Sequence, residues 1–336
     1  VLSVALSLVL AALLVPLAPP AADAAASTYY VDDGGNNANS GTLASPWRTI
    51  EFALAQAHSG DTSKVLPGLY DADPEQDFPI RLPAGVTLES TGGYGVTTIQ
   101  GPETTWRLIE IDNATAKTVV RGFTLQGGGE ADGSVIQVSN DAVTNPGWPL
   151  IEGCLFNSNN AMSKYGGAIC CVGAFMGGTA KPLIRDNVFQ GNQAERGGAI
   201  YCREYSAPTI ADNFFWANSA SDRGGAVALD GNATEVTVTG NRFLANFSGA
   251  MGGGALYLTN NNTGSDLVTG NSFELNSTTG DGGAIHLGGF ITATLEENEF
   301  ISNDADETGG AVASYGNPAQ DLQLLSENNL YAQNDA

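Results

Sequence analysis

Residues 184–192 read Ile-Arg-Asp-Asn-Val-Phe-Gln-Gly-Asn, and after a short loop residues 197–200 read Gly-Gly-Ala-Ile. Both motifs recur towards the end of the chain. The Gly-Gly-Ala-aliphatic motif begins at Gly166, Gly197, Gly224, Gly253, Gly282 and Gly309, with spacings of 31, 27, 29, 29 and 27 residues. A period of about 29 residues with β-type composition predicts a solenoid of stacked coils.

The asparagine and phenylalanine positions of the repeat predict columns of like side chains. Asn187 is an odd number of residues from Ile184 and an even number from Phe189, so one strand cannot carry all three on one face. We therefore place Asn187 at a corner, in the left-handed conformation that asparagine tolerates. The predicted columns are Asn187, Asn213, Asn241, Asn271, Asn298 and Asn328; Asn159, Asn192, Asn218, Asn246, Asn276 and Asn303; and Phe156, Phe189, Phe215, Phe243, Phe273 and Phe300, followed by Leu330.

These columns predict the fold class. The glycine pair forms a third tight corner, and about three short strands per coil give an all-β, single-stranded parallel β-helix. Parallel crossovers predict a right-handed sense. At roughly 29 residues a coil we expect about nine coils. A leucine-rich solenoid would need a Leu-x-x-Leu-x-Leu frame, which this sequence does not show.

An amphipathic helix is predicted near the start of the solenoid. Apolar residues at positions 50, 53, 54 and 57 follow helical spacing, with Thr49 as the N-cap and Gly60 as the stop signal. A solenoid must close its open end, and we expect this helix to cover the first coil.

The charge balance limits the class of partner. The chain has 336 residues, with 13 basic and 36 acidic groups and a net charge of −23. Such a surface repels nucleic acid, which we exclude as a partner. From Phe243 onward there is no Lys or Arg against twelve acidic residues. Chemistry that needs a strong cation is therefore expected in the earlier coils.

The first residues predict secretion. Residues 1–26 read as a signal peptide cleaved near Ala26, with a membrane anchor as the alternative, and no later stretch is long and apolar enough to span a bilayer. Residues 27–336 are predicted to form the β-helix: the cap and first coils in 27–100, middle coils in 101–150, and the repeat coils in 151–336. The last repeat stops before its Gly-Gly corner, so we expect an uncapped end that continues, is covered, or associates end to end.

Four cysteines, Cys154, Cys170, Cys171 and Cys202, fall close together in the sequence. Aligned on the glycine corners, Cys171 and Cys202 occupy the same place in successive coils, about 4.8 Å apart. A disulfide between them is one expectation for a secreted protein, and a stacked pair of buried thiols is the other.

Residues 29–100 resemble a known family. Tyr29-Tyr30-Val31-Asp32, Ser45-Pro46-Trp47, Gly60-Asp61-Thr62 and Pro67-Gly68-Leu69-Tyr70 are similar to the N-terminal module of secreted pectate-lyase-like β-helix proteins. The Gly-Gly-Ala-Ile and Phe-x-x-Asn motifs after residue 151 resemble the repeats of polymorphic outer-membrane proteins, which are surface adhesins. The first resemblance implies the fold and secretion without a reaction, and the second implies adhesion.

Candidate catalytic residues lie before successive Gly-Gly corners. Polysaccharide lyases of this fold use a Lys or Arg base, usually with Ca²⁺ held by carboxylates. Lys164, Arg196 and Arg223 are the candidate bases, with Glu195 and Asp222 as candidate ligand-binding residues. The alternative is that these residues are exposed turn residues whose charges offset one another.

Two further features bear on catalysis and metal binding. A hydrolase of this fold typically carries Gly-His-Gly and Arg-x-Lys, and neither motif occurs. The candidate ligands of a calcium ion are Asp281, Asp304, Asp306 and Glu307. Calcium is therefore a candidate cofactor but not a required one.

These patterns favour a secreted or cell-surface protein that acts in adhesion or carbohydrate binding, with no complete catalytic site. The expected partners are an extracellular polysaccharide or the surface of a host or neighbouring cell. One alternative is a calcium-dependent lyase acting on acidic polysaccharide. The other is a self-assembling structural protein of the cell surface.

Overall fold

The computed structural model describes residues 25–72, 76–102, 107–129, 131–141, 147–174, 178–230, 235–260, 265–289, 292–316 and 323–336. The predicted signal peptide lies almost wholly outside these residues. Within them, the strands form four parallel sheets of 11, 10, 9 and 6 strands, each strand paired with its equivalents one coil before and after. The chain is a parallel β-helix, as the repeat predicts.

The four sheets are named here by their strand number. The eleven-stranded sheet consists of Thr28–Val31, Thr62–Val65, Thr87–Ser90, Val119–Arg121, Leu150–Glu152, Leu183–Arg185, Thr209–Ala211, Thr237–Thr239, Ser265–Thr269, Thr292–Glu296 and Gln323–Glu327. The ten-stranded sheet consists of Gly68–Tyr70, Thr97–Gln100, Thr124–Gln126, Leu155–Asn157, Val188–Gln190, Phe214–Trp216, Arg242–Leu244, Ser272–Glu274, Glu299–Ile301 and Leu330–Ala332. The six-stranded sheet consists of Asn160–Tyr165, Gln193–Arg196, Ser219–Arg223, Phe247–Ser248, Ser277–Thr278 and Asp304–Ala305. The nine-stranded sheet consists of Ile80–Arg81, Ile109–Asp112, Ile136–Asn140, Ile169–Gly173, Ile200–Arg203, Val227–Leu229, Leu256–Asn260, Ile285–Gly289 and Val312–Gly316.

Each repeat coil therefore has four short strands rather than the predicted three. The chain runs through the eleven-, ten-, six- and nine-stranded sheets in that order. The six-stranded sheet begins only at Asn160, where the second asparagine corner first appears. The extra strand lies between the second asparagine corner and the Gly-Gly corner, a stretch that the repeat pattern predicts to be a short loop.

The helix Ile50–Gln56 forms where helical spacing predicts it. Thr49 is the N-cap, and its side-chain oxygen accepts a hydrogen bond from the main-chain N–H of Phe52. Ile50, Ala53 and Leu54 are buried against the first strands of the eleven- and nine-stranded sheets. The helix ends at Gln56, before Gly60, because Ala57 already has an extended backbone.

Buried asparagines join each coil to the next. Oδ1 of Asn213 accepts hydrogen bonds from the main-chain N–H of Asn187 at 3.0 Å and from its Nδ2 at 3.1 Å. Nδ2 of Asn213 donates to the carbonyl of Ile184 at 2.9 Å and to Oδ1 of Asn241 at 3.0 Å. The same contacts recur at Asn192, Asn218, Asn246, Asn271, Asn276, Asn298 and Asn303. Each amide thus satisfies backbone groups that the corner would otherwise leave unpaired.

The left-handed residue at each corner precedes the asparagine, which corrects the prediction. Asp186 has a φ of 55° and Asp212 one of 54°, whereas the asparagine after each points inward. In the last repeat Asn328 has a φ of 54°, so Asn329 occupies the ladder position. By the same one-residue shift, Tyr331 rather than Leu330 stacks on Phe300, with ring centroids 4.9 Å apart.

The phenylalanine column fills the core beside the ladder. Consecutive rings from Phe156 to Phe300 lie 4.6–5.0 Å apart and within 7° of parallel. Isolated aromatic pairs prefer offset or edge-to-face packing. The coil spacing of about 4.8 Å imposes the parallel arrangement here.

The Gly-Gly corner needs both glycines for different reasons. Gly197 has a φ of 59° and the equivalent Gly224 one of 61°. A Cβ on Gly198 would collide with the carbonyl oxygen of Gly225 in the next coil, and a Cβ on Gly225 with that of Gly254. The first glycine is required by the bend and the second by the close approach of neighbouring coils.

Charges of alternating sign form a ladder along the eleven-stranded sheet, which sequence reasoning missed. The nitrogen-to-oxygen distances are 3.2 Å for Lys64 and Glu89, 3.8 Å for Glu89 and Arg121, 3.2 Å for Arg121 and Glu152, and 2.6 Å for Glu152 and Arg185. The residues are in register on consecutive strands. Each inner charged side chain has a neighbour of opposite sign on the strand before it and on the strand after it. These ion pairs favour the observed register between neighbouring strands.

Cys171 and Cys202 are not bonded to each other in this structure. Cys171 and Cys202 are in register on neighbouring strands of the nine-stranded sheet, and all four cysteines are free and buried. Side chains in register on parallel strands keep roughly the strand spacing of about 4.8 Å between their Cβ atoms. A disulfide needs about 3.8 Å. This spacing favours the alternative of stacked buried thiols, and the disulfide stays a prediction.

Replacing Asn241 with alanine should destabilise the solenoid by about 3 kcal/mol, because main-chain and side-chain donors of Asn213 would be left buried without acceptors. Chemical denaturation measures this change. Gln193→Ala, which removes an exposed amide, is the matched control and should change stability little. Equal stabilities of the two variants would contradict a structural role for the ladder.

Thiol titration should find all four cysteines reactive in denaturant without reductant, and none reactive in the native protein. The reason is burial, which raises the pKa of Cys154 to about 12 and the pKa of Cys170 further. Two missing thiols in the denatured, unreduced protein would show that a disulfide forms after all.

Candidate functional site

Three of the predicted site residues come together beside the outer face of the nine-stranded sheet. Arg196 and Arg223 end consecutive strands of the six-stranded sheet and are in register. Gly197 and Gly224 then turn the chain into the nine-stranded sheet. The corner therefore presents the two guanidinium groups one coil apart at the edge of that face.

The arginines share two carboxylates. Oδ2 of Asp222 lies 3.0 Å from Nε of Arg196 and 3.1 Å from Nε of Arg223. Oδ2 of Asp230 lies 3.6 Å from a terminal nitrogen of each arginine and 3.2 Å from the hydroxyl of Tyr201. The side chains of Arg196 and Arg223 are 26% and 14% exposed, so the network is partly shielded from water.

A column of aromatic rings lies next to these charges. The outward column of the nine-stranded sheet runs Cys170, Tyr201, Ala228, Tyr257, His286 and Ala313. Small residues at Cys170 and Ala228 leave room for the two tyrosine rings, which are buried although they point away from the core. His286 stacks on Tyr257 at 4.9 Å and on the half-exposed Tyr315 at 5.7 Å.

The arginines also contact aromatic faces. The guanidinium carbon of Arg196 lies 4.9 Å from the ring centroid of Tyr165, and that of Arg223 lies 5.0 Å from the ring of Tyr257. The hydroxyl of Tyr257 is 3.4 Å from a nitrogen of Arg223. Cation–π and hydrogen-bond contacts thus fix the orientation of both arginines.

The other predicted site residues lie at the margin of this cluster. Lys164 is exposed, and Tyr165, which pairs in register with Arg196, occupies the position equivalent to the arginines. Glu195 is 3.6 Å from Nε of Arg196. Lys164 lies two residues before its glycine corner, whereas each arginine lies one residue before its own. Lys164 is therefore not equivalent to the arginines.

The four predicted calcium ligands do not converge. Asp304, Asp306 and Glu307 are exposed, and Asp281, one coil earlier, accepts a hydrogen bond from the main-chain N–H of Thr308. Among the described residues, no group of three or more His, Cys, Asp or Glu side chains is placed to hold a metal ion. Asp304 and Asp306 lie on the same outer face, on either side of the buried Ala305, but the four carboxylates are not gathered around one point.

Comparison with known proteins places the chain in a family. A family model described as "Protein of unknown function (DUF1565)" matches residues 33–336. The chain belongs to the DUF1565 family. The parallel β-helix fold that the resemblance to pectate-lyase-like proteins implies is confirmed by the sheet topology.

Individual proteins of known sequence or structure also match this chain. The "Probable autotransporter YfaL" of Escherichia coli (strain K12) is 31% identical over 174 residues, which cover 46% of this chain and 14% of that protein. A structure named "Rhamnogalacturonan lyase" superposes with a TM-score of 0.37 and 12% identity, over 90% of this chain and 87% of that chain. Pectate lyase Pel9A gives a TM-score of 0.34 and 12% identity, over 92% and 78% of the two chains.

The electrostatics of the arginine and tyrosine cluster keep its donor groups protonated. Burial acts to lower the pKa of Arg196, but Tyr201, Tyr165 and Asp222 more than offset it, so that its pKa is raised. Burial and Asp230 raise the pKa of Tyr201. The arginine therefore stays charged and the tyrosine stays protonated, and both remain hydrogen-bond donors.

Sequence reasoning missed the tyrosines, Asp230 and His286. A signal was present in the second residue after each Gly-Gly-Ala, which is Cys170, Tyr201, Ala228, Tyr257, His286 and Ala313. Because this position follows the inward aliphatic residue, its side chain points outward. From Cys170 to Tyr257, small and large side chains alternate at this position. Such alternation is typical of side chains that pack on one another along the outside of a sheet.

Stability should fall as the pH is lowered from about 7 to about 5, in part because of His286. Burial lowers its pKa, Asp281 acts to raise it and Arg223 to lower it. A depressed folded-state pKa means that this stability is present above the unfolded pKa of about 6.5 and is lost as the pH falls towards the folded value. His286→Phe should keep the stack and reduce this loss, as measured by thermal denaturation.

His58→Gln is the control, because His58 is the other histidine and its side chain is 88% exposed. The His58 variant should follow the wild-type pH profile. A His286→Phe profile identical to that of the wild type would show that this histidine does not sense pH.

Proposed function

We propose that this DUF1565 chain is an extracellular or cell-surface protein that binds neutral polysaccharide through the outer face of its nine-stranded sheet. The observation that carries the proposal is the shared network of Arg196, Arg223, Asp222 and Asp230 beside the aromatic column. Adhesion to a glycan-bearing surface is the biological role that follows.

The site's chemistry favours a ligand with hydroxyl groups. Guanidinium and tyrosine donors lie beside carboxylate acceptors, and sugar hydroxyls both donate and accept. The half-exposed ring of Tyr315 supplies an apolar face against which a sugar ring packs. From Tyr201 to the strand of Tyr315 the site spans four coil spacings, roughly 19 Å along the axis. An extended chain fits this length better than a compact small molecule.

Charge argues against an acidic ligand. The two arginines are balanced by Asp222 and Asp230, and the whole chain carries a net charge of −23. A polyuronate would be repelled over most of the surface. A lyase would also need a base, and both arginines are held by carboxylates. These points support binding without cleavage.

The proposed extracellular or cell-surface location has support from one relative. Similarity to a probable autotransporter over 174 residues, 46% of this chain, supports a surface role. Among the described residues, no helix is both long enough and apolar enough to cross a membrane.

Tyr315→Ala should weaken binding to immobilised neutral glycans by about tenfold, because it removes the exposed ring while leaving the buried pair of Tyr257 and His286 in place. Tyr315→Phe should retain most of the affinity. Tyr94→Ala, which removes a tyrosine 41% exposed elsewhere, is the matched control.

A glycan array followed by calorimetry on the best neutral oligosaccharide makes the measurement. Parallel ultraviolet detection of unsaturated uronide on polygalacturonate tests the lyase alternative. Product formation there, or equal binding by the Tyr315 and Tyr94 alanine variants, would contradict the proposal.

A further inference from the structure

A groove on a different face of the solenoid has the features of a second binding site. It lies on the outer side of the eleven-stranded sheet and has a volume of about 510 Å³. This size is within the range of small-ligand sites, roughly 300–1,000 Å³. The residues that line it are Ala116, Trp148, Leu150, Lys181, Leu183, Ala207, Thr209 and Glu235.

The groove is built on a stacked sequence motif. Trp148-Pro149-Leu150, Lys181-Pro182-Leu183 and Ala207-Pro208-Thr209 occupy the same place in three successive coils. The main-chain N–H of Leu183 donates to the carbonyl of Pro149 at 2.9 Å, and that of Thr209 to the carbonyl of Pro182 at 3.0 Å. All three prolines are buried, so the residue before each points outward.

This arrangement fixes the backbone of an exposed tryptophan before any ligand arrives. A residue that precedes proline is restricted to extended backbone conformations. Trp148 is nevertheless 50% exposed, which leaves a large apolar ring in water. Its flanking backbone is fixed by hydrogen bonds of Gly147 and Lys181 to the neighbouring coil. A backbone that is already ordered lowers the conformational entropy lost when a ligand packs on the ring.

The rim of the groove carries one charge of each sign. The ammonium group of Lys181 and the carboxylate of Glu235 have no ion pair or hydrogen bond with another residue in the described part of the chain. Ala207 lies between their coils and leaves the floor open. A donor and an acceptor without net charge match the hydroxyls of a neutral ligand rather than an anion or a cation.

We infer that this groove binds a sugar ring of a neutral polysaccharide, stacked on the indole of Trp148 with its hydroxyls reaching Lys181 and Glu235. The apolar floor of Leu150 and Leu183 suits the C–H face of such a ring. The ligand class rests on the proposed function, whereas the site is separate from the arginine and tyrosine cluster. Two such faces would let one molecule hold two glycan strands.

Calorimetry with β-1,4-linked hexasaccharides of glucose, mannose and xylose tests this inference. We expect two sites on the wild-type chain for at least one of these sugars. Trp148→Ala should weaken one of them by about tenfold or more, and Glu235→Gln should weaken the same one less. Trp216→Ala is the matched control, since Trp216 is 41% exposed on the ten-stranded sheet. Thermal denaturation checks that each variant is folded.

The outcomes separate this inference from the proposed function. Loss of one site in Trp148→Ala and of the other in Tyr315→Ala supports both. A loss only in Trp148→Ala supports the groove and contradicts the proposed function, and a loss only in Tyr315→Ala does the reverse. The groove proposal also fails if the apolar dye 8-anilinonaphthalene-1-sulfonate binds there while none of the three sugars does.

Discussion

Hydrogen bonds between buried asparagines of neighbouring coils are the interaction on which the rest of this structure depends. A β-helix must bend its chain several times in every coil, and each bend takes backbone groups out of the sheets. Asn213 satisfies such groups in the coils on both sides of it. Buried amides left without partners would each cost about 1–3 kcal/mol. The ladder offsets this cost at every repeat and sets the register of the strands that follow.

The ladder also permits backbone conformations that would otherwise be unfavourable. Ala245 and Leu275 have φ values of 53° and 54°, although neither residue favours the left-handed region. Each precedes a ladder asparagine whose contacts fix the corner. Almost any residue therefore serves at the bend, provided that asparagine comes next. This explains why the residue before the asparagine varies along the repeat.

Because the buried asparagines and phenylalanines stabilise the coils, the residues on the outer faces of the sheets can vary without loss of the fold. The arginine and tyrosine cluster and the Trp148 groove lie on different sheets, and both are built from residues in register on successive coils. A change of one residue per coil alters such a face without disturbing the core. The two sites differ in how they are held: ion pairs fix Arg196 and Arg223, whereas stacked prolines fix the backbone at Trp148.

The sequence by itself determined the solenoid, the inward columns and the capping helix, because each depends on a repeat or on local spacing. It also placed Arg196 and Arg223 in neighbouring coils, since both immediately precede the same corner. Only the tertiary structure decided what surrounds them. Tyr257, Asp230 and the charge ladder from Lys64 to Arg185 act across coils, between residues about 25 to 35 positions apart. Such contacts depend on which face each side chain takes, and a shift of one residue at a corner reverses that face. The same sensitivity moved Asn329 into the ladder in place of Asn328.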